Sequence, residues 1–317
     1  MKPISDYPDL WDILRREGIE VDSKTPITMR NNIISIGESF DKNPLYTMVQ
    51  GYFTGHQEEV VVFRFISTKY AISSLRRRKL RVYNLLSQND NDFAEASEFY
   101  LRSRLLHLLC PSAVDVDGKE PKIEQIRDNV HILCFAKSLS PRIWESYGDN
   151  KGCCLVFTAK WIVHEFTRFA DVLYGADSLF DTITNIQSQV QRRYQCQIFI
   201  QGISHLAFLY KRASYSWENE IRYVLTPSKL GIKVMDDQYT NIWGQTEVRK
   251  YCEIPFNSNS SDKTFLKLEL IEILTGTKAD PNDVKELQSL KKQIIHKRES
   301  CISRLTKSFL QKVSRRR

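Results

Sequence analysis

Apolar and polar residues recur along this chain with two different periods, and each period predicts one kind of element. Short apolar runs predict strands, most clearly VVVFRFI at Val60–Ile66. In the second half of the chain, ENEIRYVL at 218–225 predicts another strand. Further strands are predicted at 80–86, 130–136, 152–157, 171–174, 247–254 and 265–274.

Helices are predicted where apolar residues recur every three or four positions. A short helix over 9–17 has Gly18 at its end, which suits a helix C-terminus. Ser67 or Thr68 can cap a helix that reaches about residue 79. The other helices are predicted at 92–109, 141–147, 160–169, 178–211 with a break near Gly202, and from Pro281 onward.

The order of these elements predicts the fold class and the division of the chain. Strands neither alternate strictly with helices nor group as hairpins, which favours an α+β fold with a mixed, largely antiparallel sheet. We find no internal repeat and no glycine-rich nucleotide-binding motif. We expect an N-terminal accessory segment over 1–58, an α+β core domain over 59–280 and a basic amphipathic C-terminal helix over 281–317.

The composition indicates a globular intracellular protein. The apolar fraction is 42%, close to the globular average. The seven cysteines are scattered and include no CxxC pair, which is typical of a reducing compartment. The N-terminus has no apolar signal region, and no apolar stretch is long enough to cross a bilayer. We therefore expect a cytoplasmic protein without a transmembrane segment.

The net charge of +8 is concentrated at one end of the chain. Residues 291–317 contain ten lysines and arginines and one acid, Glu299, so this tail carries +9 and residues 1–290 carry −1. Apolar residues from Leu287 to Val313 recur mostly three or four apart, which predicts an amphipathic basic helix. The charge therefore describes the tail and says little about the body.

Three interpretations of this basic helix stay open. It can pack its apolar stripe on the body, bind nucleic acid or an acidic partner, or lie on an anionic membrane surface. The second interpretation gives the alternative function of the chain, a non-enzymatic module that binds nucleic acid or a protein partner. Its candidate contact residues are Arg76, Arg77, Arg78, Arg304, Lys307 and Lys312.

The segment SYSWENEIRY carries the most suggestive chemistry. In a strand, alternate side chains share a face, which places Glu218, Glu220 and Arg222 together. Paired carboxylates on one face can do electrostatic or acid–base work. From the spacing alone, a Glu–Arg ladder on an exposed sheet face is favoured, and such a ladder contributes little to stability.

The context of this segment adds a resemblance. Several motifs follow one another between residues 63 and 290: Cys-Phe-Ala at 134–136, Trp-Glu-Ser-Tyr-Gly-Asp at 144–149, Lys-Gly-Cys-Cys at 151–154 and, after Lys211, Trp-Glu-Asn-Glu-Ile-Arg at 217–222. This series resembles a bacterial family known as domain of unknown function 2971. Two positions depart from the family pattern: Ala136 replaces a serine, and NDNDF at 89–93 lacks a proline.

The layout of that family is similar to ADP-ribosyltransferase folds, including DNA-modifying toxins. The resemblance implies NAD as the substrate and a catalytic glutamate in a late strand, Glu220 or, in second place, Glu218. A fixed carboxylate in a dry cleft stabilises the positive charge that develops on the ribose when the nicotinamide bond breaks. The implied function is transfer of ADP-ribose to a protein or nucleic-acid acceptor, as a toxin or phage-defence effector.

The resemblance also implies residues that bind the cofactor. Arg64 is expected to approach the phosphate or ribose of NAD, and Tyr70 or Tyr147 to stack on the nicotinamide. Trp144 and Arg222 complete this set. We expect no metal site, because the six histidines are isolated in the sequence. A nuclease ranks last, since the sequence shows no compact set of metal-binding carboxylates.

Overall fold

Helices and strands are mixed along the chain in the computed structural model, which is of the α+β class with mostly antiparallel strand pairing. The residues that the structure describes are 2–30, 32–37, 45, 58–85, 129–146, 150–164, 166–175, 177–198, 206, 208–240, 246–257 and 264–295. Two compact units are formed, each from three stretches of chain. Unit 1 comprises 1–55, 83–133 and 165–252, and unit 2 comprises 56–82, 134–164 and 253–317.

The strands and helices are numbered in chain order. The strands are β1 Lys2–Pro3, β2 Pro26–Arg30, β3 Ile33–Ile36, β4 Val60–Ile66, β5 Lys79–Asn84, β6 His131–Ala136, β7 Cys153–Trp161, β8 Thr167–Asp171, β9 Leu173–Tyr174, β10 Gln197–Ile198, β11 Tyr210–Lys211, β12 Glu220–Leu225, β13 Met235–Thr240, β14 Thr246–Pro255 and β15 Leu266–Thr275. The helices are α1 Pro8–Arg16, α2 Thr68–Arg77, α3 Pro141–Ser146, α4 Asp177–Tyr194, α5 Pro227–Leu230 and α6 Pro281–Ile295. Among the described residues, 3₁₀ helices span Ile4–Asp6 and Ala213–Glu218.

Unit 2 is built on antiparallel pairing around β7. This strand pairs along its length with β4 on one side and with β15 on the other. The β7 side chains are almost all buried because both of its edges and both of its faces are covered. Phe157 lies at the centre, with its ring centroid 5.4 Å from that of Phe256 and 6.4 Å from that of Phe135. Helix α6 packs against α2 and β15.

Two glycines allow close backbone contacts at one end of this sheet. The Gly276 amide donates a 2.9 Å hydrogen bond to the Gly152 carbonyl. A Cβ atom on Gly276 would lie 2.1 Å from the Asn150 carbonyl oxygen. A Cβ atom on Gly152 would lie 2.6 Å from the Ile66 carbonyl oxygen. Real Cβ atoms do not approach backbone so closely, so only glycine fits at these two positions without a shift of the chain.

Unit 1 contains several smaller pairings. Strand β12 pairs antiparallel with β8, from Ile221 opposite Asp171 to Leu225 opposite Thr167. Strands β13 and β14 form an antiparallel pair, and β1, β2, β3 and β10 form a small sheet. The short strands β9 and β11 pair in parallel. Helix α1 packs against α4 through buried leucine and isoleucine side chains.

Many predicted elements are present near the expected limits. Strand β4 has the predicted bounds, and the Ser67 hydroxyl caps α2 by accepting from the Tyr70 amide. Arg78 ends that helix in a left-handed conformation. The predicted α+β class is therefore confirmed. The predicted segments 1–58, 59–280 and 281–317 have other limits than the two units and stay a prediction.

Two helix predictions are wrong, one entirely and one in its length, and some strands are not predicted. The helix predicted over 160–169 is absent, because β7 continues to Trp161 with β15 as its hydrogen-bond partner and β8 begins at Thr167. The helix predicted over 178–211 ends at Tyr194 and is followed by β10. Strands β2, β3 and β13 were not predicted. The helix predicted over 92–109 lies outside the described residues.

Candidate functional site

A tight local fold brings the charged residues of SYSWENEIRY together. Strand β11 ends at Lys211, and the 3₁₀ helix follows over Ala213–Glu218. Asn219 then adopts a left-handed conformation with φ 45°, and its amide donates to the Ser216 carbonyl at 3.2 Å. Strand β12 begins at the next residue, Glu220. Asparagine tolerates this conformation better than most residues do, so the sequence favours a turn here.

The strand predicted over 218–225 is therefore wrong at its start. Glu218 is the last residue of the 3₁₀ helix and does not share the strand alternation. Glu220 and Arg222 are alternate residues of β12 and lie on one face, as predicted. The left-handed turn at Asn219, rather than a continuous strand, brings Glu218 beside them.

Four charged side chains form a buried cluster, which we call the KEER cluster: Lys211, Glu218, Glu220 and Arg222. The Lys211 ammonium bonds to Glu218 Oε2 and lies 3.0 Å from Glu220 Oε2. Arg222 Nε donates to Glu220 Oε1 at 2.8 Å, and its Nη1 donates to the Phe208 carbonyl at 3.0 Å. Two cations and two anions make the KEER cluster electrically balanced.

The KEER cluster is almost closed to water. Its residues are between 1% and 6% exposed, with Arg222 the most buried. The Glu–Arg ladder on an exposed face, which the spacing alone favours, is therefore wrong. Both faces of β12 are covered, so alternate side chains of this strand do not divide into a solvent-exposed face and a buried face. Ion pairs at this depth are weakly screened, and each group depends on its partners.

A tyrosine joins the KEER cluster to the neighbouring strands. The Glu220 amide donates to the Tyr174 hydroxyl at 2.8 Å. Tyr174 is also the register partner of Lys211 in the β9–β11 pair. Burial raises the pKa of the Tyr174 phenol, so this group stays protonated and neutral. The β9–β11 pair thus fixes the position of both Lys211 and a hydrogen-bond partner of Glu220.

Lys211 is the residue of this site that sequence reasoning did not select. In the sequence it stands only as the lysine that precedes the Trp-Glu-Asn-Glu-Ile-Arg motif. A signal for it was available in the charge count, because two glutamates and one arginine in a buried segment leave one negative charge without a counter-ion. The nearest cations before Glu218 are Lys211 and Arg212.

The structure places the other predicted cofactor residues in unit 2, whereas the KEER cluster belongs to unit 1. Arg64 lies in β4, and its Nη1 donates to the Cys134 carbonyl at 2.8 Å. Tyr70 lies in the first turn of α2, is 47% exposed and has the Arg81 guanidinium 5.9 Å from its ring centroid. Trp144 packs edge-to-face on Phe65 with centroids 5.0 Å apart.

Arg64 thus makes a hydrogen bond and Trp144 an aromatic contact within unit 2, and their binding of a cofactor stays a prediction. Tyr147 lies outside the described residues. Arg222 holds Glu220 through its Nε, and its contact with a cofactor is likewise a prediction. Glu218 and Glu220, the two catalytic candidates, are the predicted pair that the structure does bring together.

The predicted basic contact residues of α2 have acidic neighbours. Arg76 pairs with Glu286 of α6 at 2.5 Å, and Arg77 pairs with Glu253 at 2.7 Å. The Arg78 carbonyl accepts from the Phe256 amide. Part of the positive charge on this helix end is therefore compensated. The other candidates, Arg304, Lys307 and Lys312, lie outside the described residues.

The described part of the basic C-terminal helix packs on unit 2. Leu287 of α6 is fully buried, and Lys291 pairs with Glu272 of β15. This supports the docked interpretation for the first turns of the segment. The part of the tail after Ile295 lies outside the described residues.

The described residues bear on metal binding, membrane spanning and cysteine reactivity. In the described ranges, no group of three or more His, Cys, Asp or Glu side chains is arranged to hold a metal ion. None of the described helices is both long and apolar enough to span a membrane. Cys153 and Cys154 of β7 are buried, and burial raises the pKa of the Cys153 thiol to about 12, so it is unreactive as a nucleophile.

A search of known proteins finds no family model, no curated protein and no solved structure that matches this chain.

Proposed function

We propose that this chain is an ADP-ribosyltransferase-like effector that uses NAD as its substrate and modifies a protein or nucleic-acid acceptor. It would act in the cytoplasm as a toxin or a phage-defence protein. The proposal joins the resemblance carried by the ordered motifs to the geometry of Glu218 and Glu220. The KEER cluster is the observation that supports it most directly.

A buried ion cluster is a poor way to stabilise a protein. Desolvation of the charges offsets most of their attraction, and apolar residues of similar volume commonly give equal or greater stability. A chain that keeps two glutamates, a lysine and an arginine in its interior therefore favours a role for the charge itself. Two carboxylates held in a weakly screened site suit stabilisation of a developing cation.

The proposed reaction breaks the bond between the nicotinamide nitrogen and the ribose carbon. The electron pair of that bond leaves with nicotinamide, and the ribose carbon becomes cationic. An oxygen or nitrogen of the acceptor then donates an electron pair to this carbon and loses its proton to water. Glu220, with Glu218 beside it, would stabilise the cation, while Lys211 and Arg222 hold the carboxylates in position through their hydrogen bonds.

The proposal is tested with purified protein, cell extract and NAD labelled in its ADP-ribose part. We expect a labelled macromolecular product together with release of nicotinamide. Glu220→Gln removes the negative charge with little change of shape, and we expect it to lower the rate about a hundredfold or more. Nicotinamide release is measured by chromatography, and the labelled product by gel electrophoresis.

A matched variant controls for the substitution itself. Glu20→Gln makes the same change at an exposed position of unit 1, and we expect it to react like the wild type. Urea unfolding of each variant separates a loss of chemistry from a loss of fold. The proposal fails if wild type gives neither product, or if folded Glu220→Gln reacts as fast as wild type.

A further inference from the structure

A groove of about 460 Å³ lies between α1 and α4 in unit 1, apart from the KEER cluster. From α1 it is lined by Asp9, Ile13 and Arg16. These residues are three and four positions apart, so they form one face of the helix. Ile13 is buried, while Arg16 is exposed.

The α4 side of the groove is entirely polar. It consists of Asn185, Ser188, Gln189, Arg192 and Arg193. The last four residues follow Asn185 by three, four, seven and eight positions, so all five lie on one face of the helix. A different stripe of α4 carries the buried apolar residues that pack against the rest of the unit. The polar groove is therefore a separate surface of this helix pair.

The groove is rich in hydrogen-bond donors and positive charge. Three guanidinium groups, two amides and a hydroxyl line it, against a single carboxylate. That carboxylate, on Asp9, already pairs with Arg193 through a contact of 2.6 Å. The pair neutralises one of the three arginines and leaves Arg16 and Arg192 as the excess positive charge.

In the part of the chain that the structure describes, the hydrogen-bond partners of Arg16 and Arg192 are backbone carbonyls of their own helices. Arg16 Nε donates to the Asp12 carbonyl at 3.2 Å, and Arg192 Nε donates to the Ser188 carbonyl at 3.3 Å. Within the described ranges, neither guanidinium pairs with an acidic side chain. The terminal nitrogens of both arginines are thus able to donate to a ligand in the groove.

We propose that this groove binds the phosphate groups of a nucleotide or of a nucleic-acid strand. The planar guanidinium fork matches a phosphate with two parallel hydrogen bonds, and amide side chains add neutral donors. The proposal does not depend on ADP-ribosyl transfer, because no residue that lines the groove belongs to the KEER cluster. Its structural alternative is that both arginines only complement the C-terminal ends of α1 and α4.

The test measures binding to the full chain by isothermal titration calorimetry. The probes are inorganic pyrophosphate and a single-stranded DNA octanucleotide, each at low and moderate salt. The test variant is Arg16→Gln with Arg192→Gln. Its control is Lys24→Gln with Arg30→Gln, which removes the same charge from exposed positions of unit 1 outside the groove.

We expect the Arg16→Gln/Arg192→Gln variant to bind pyrophosphate at least tenfold more weakly, and the control variant to stay within twofold of wild type. An equal loss for the octanucleotide identifies a nucleic-acid strand as the ligand, and a loss for pyrophosphate alone identifies a nucleotide. The proposal is overturned if wild type binds neither probe, or if both variants weaken binding equally. Urea midpoints equal to wild type establish that both variants are folded. No NAD turnover is needed, so this result is independent of the transferase assay.

Discussion

The interiors of unit 1 and unit 2 differ in chemistry. Among the described residues, the buried side chains of unit 1 include five that can carry charge, namely Lys211, Glu218, Glu220, Arg222 and His131. Among the described residues of unit 2, the buried polar side chains are the hydroxyls of Thr68, Ser74 and Thr264, beside the protonated thiols of Cys153 and Cys154. Around these hydroxyls, unit 2 is filled by aliphatic and aromatic side chains and by close backbone contacts at two glycines.

This difference indicates that the two units respond to different perturbations. Buried charges are stable only while every partner is present and correctly protonated, because desolvation of an unpaired charge is costly. An apolar interior depends instead on volume and shape. Unit 1 should therefore be sensitive to charge and pH, and unit 2 to steric change.

The largest effect is expected when a counter-ion of the KEER cluster is removed. Lys211→Met keeps the side-chain length but leaves Glu218 and Glu220 with one cation between them. We expect a loss of about 3–5 kcal/mol in the free energy of unfolding, measured by urea denaturation.

A triple variant tests whether this loss comes from charge. Adding Glu218→Gln and Glu220→Gln to Lys211→Met removes both anions, so much of the lost stability should return. A cost below about 1 kcal/mol for Lys211→Met alone would contradict the description of a dry, coupled site.

In unit 2 the sharpest effect should be steric. Gly276→Ala places a Cβ atom 2.1 Å from the Asn150 carbonyl oxygen, so the backbone must move. We expect a loss of about 3 kcal/mol in the free energy of unfolding.

Gly18→Ala is the control, because Gly18 has φ +77° but no atom within 4 Å of its added Cβ. That variant should lose only about 1 kcal/mol, from the left-handed backbone. Equal losses would show that the close contact at Gly276 relaxes freely.

A smaller effect is expected on the pH dependence of stability, and it comes from His131 of unit 1. Burial lowers the pKa of His131 from 6.5 to about 4. As the pH falls, His131 is therefore protonated near pH 6.5 in the unfolded chain but only near pH 4 in the folded chain. Stability from this group is present above pH 6.5 and falls as the pH drops. Between pH 7.5 and 5, this should remove about 2 kcal/mol.

The comparison variant is His131→Phe, studied by urea denaturation at a series of pH values. Its stability should fall about 2 kcal/mol less than that of wild type over the same interval. Parallel pH curves for the two proteins would show that His131 does not contribute to acid sensitivity.

Local sequence signals predicted the elements whose hydrogen bonds are local or whose apolar runs are continuous. Strand β4 is such a run, and its cap at Ser67 is a neighbouring residue. Errors arose where a distant strand supplies the hydrogen bonds. Residues up to Trp161 continue β7 because β15, about a hundred residues later, pairs with them. The helical spacing of apolar residues near 160–169 is therefore overridden by strand pairing with β15.

The sequence predicts most members of the candidate site and the shared face of Glu220 and Arg222, but not the rest of its geometry. Strand alternation predicts Glu218, Glu220 and Arg222 on one face, and the resemblance implies a catalytic glutamate among them. The contribution of Lys211 depends on the 3₁₀ helix and on the parallel β9–β11 pair, neither of which leaves a periodic signal. Burial of the charges was missed because alternation in EIRYVL resembles a half-exposed strand, whereas all six residues are buried.

The left-handed residue between the two glutamates has a consequence for sequence recognition. A chain that builds the same cluster needs a lysine, six intervening residues, a glutamate, one residue that accepts positive φ, a second glutamate and then an arginine two positions on. The residue at the place of Asn219 should be asparagine, aspartate or glycine, because a β-branched side chain would be strained there. This twelve-residue signature, Lys-x₆-Glu-[Asn/Asp/Gly]-Glu-x-Arg, can be sought in any genome without reference to overall similarity.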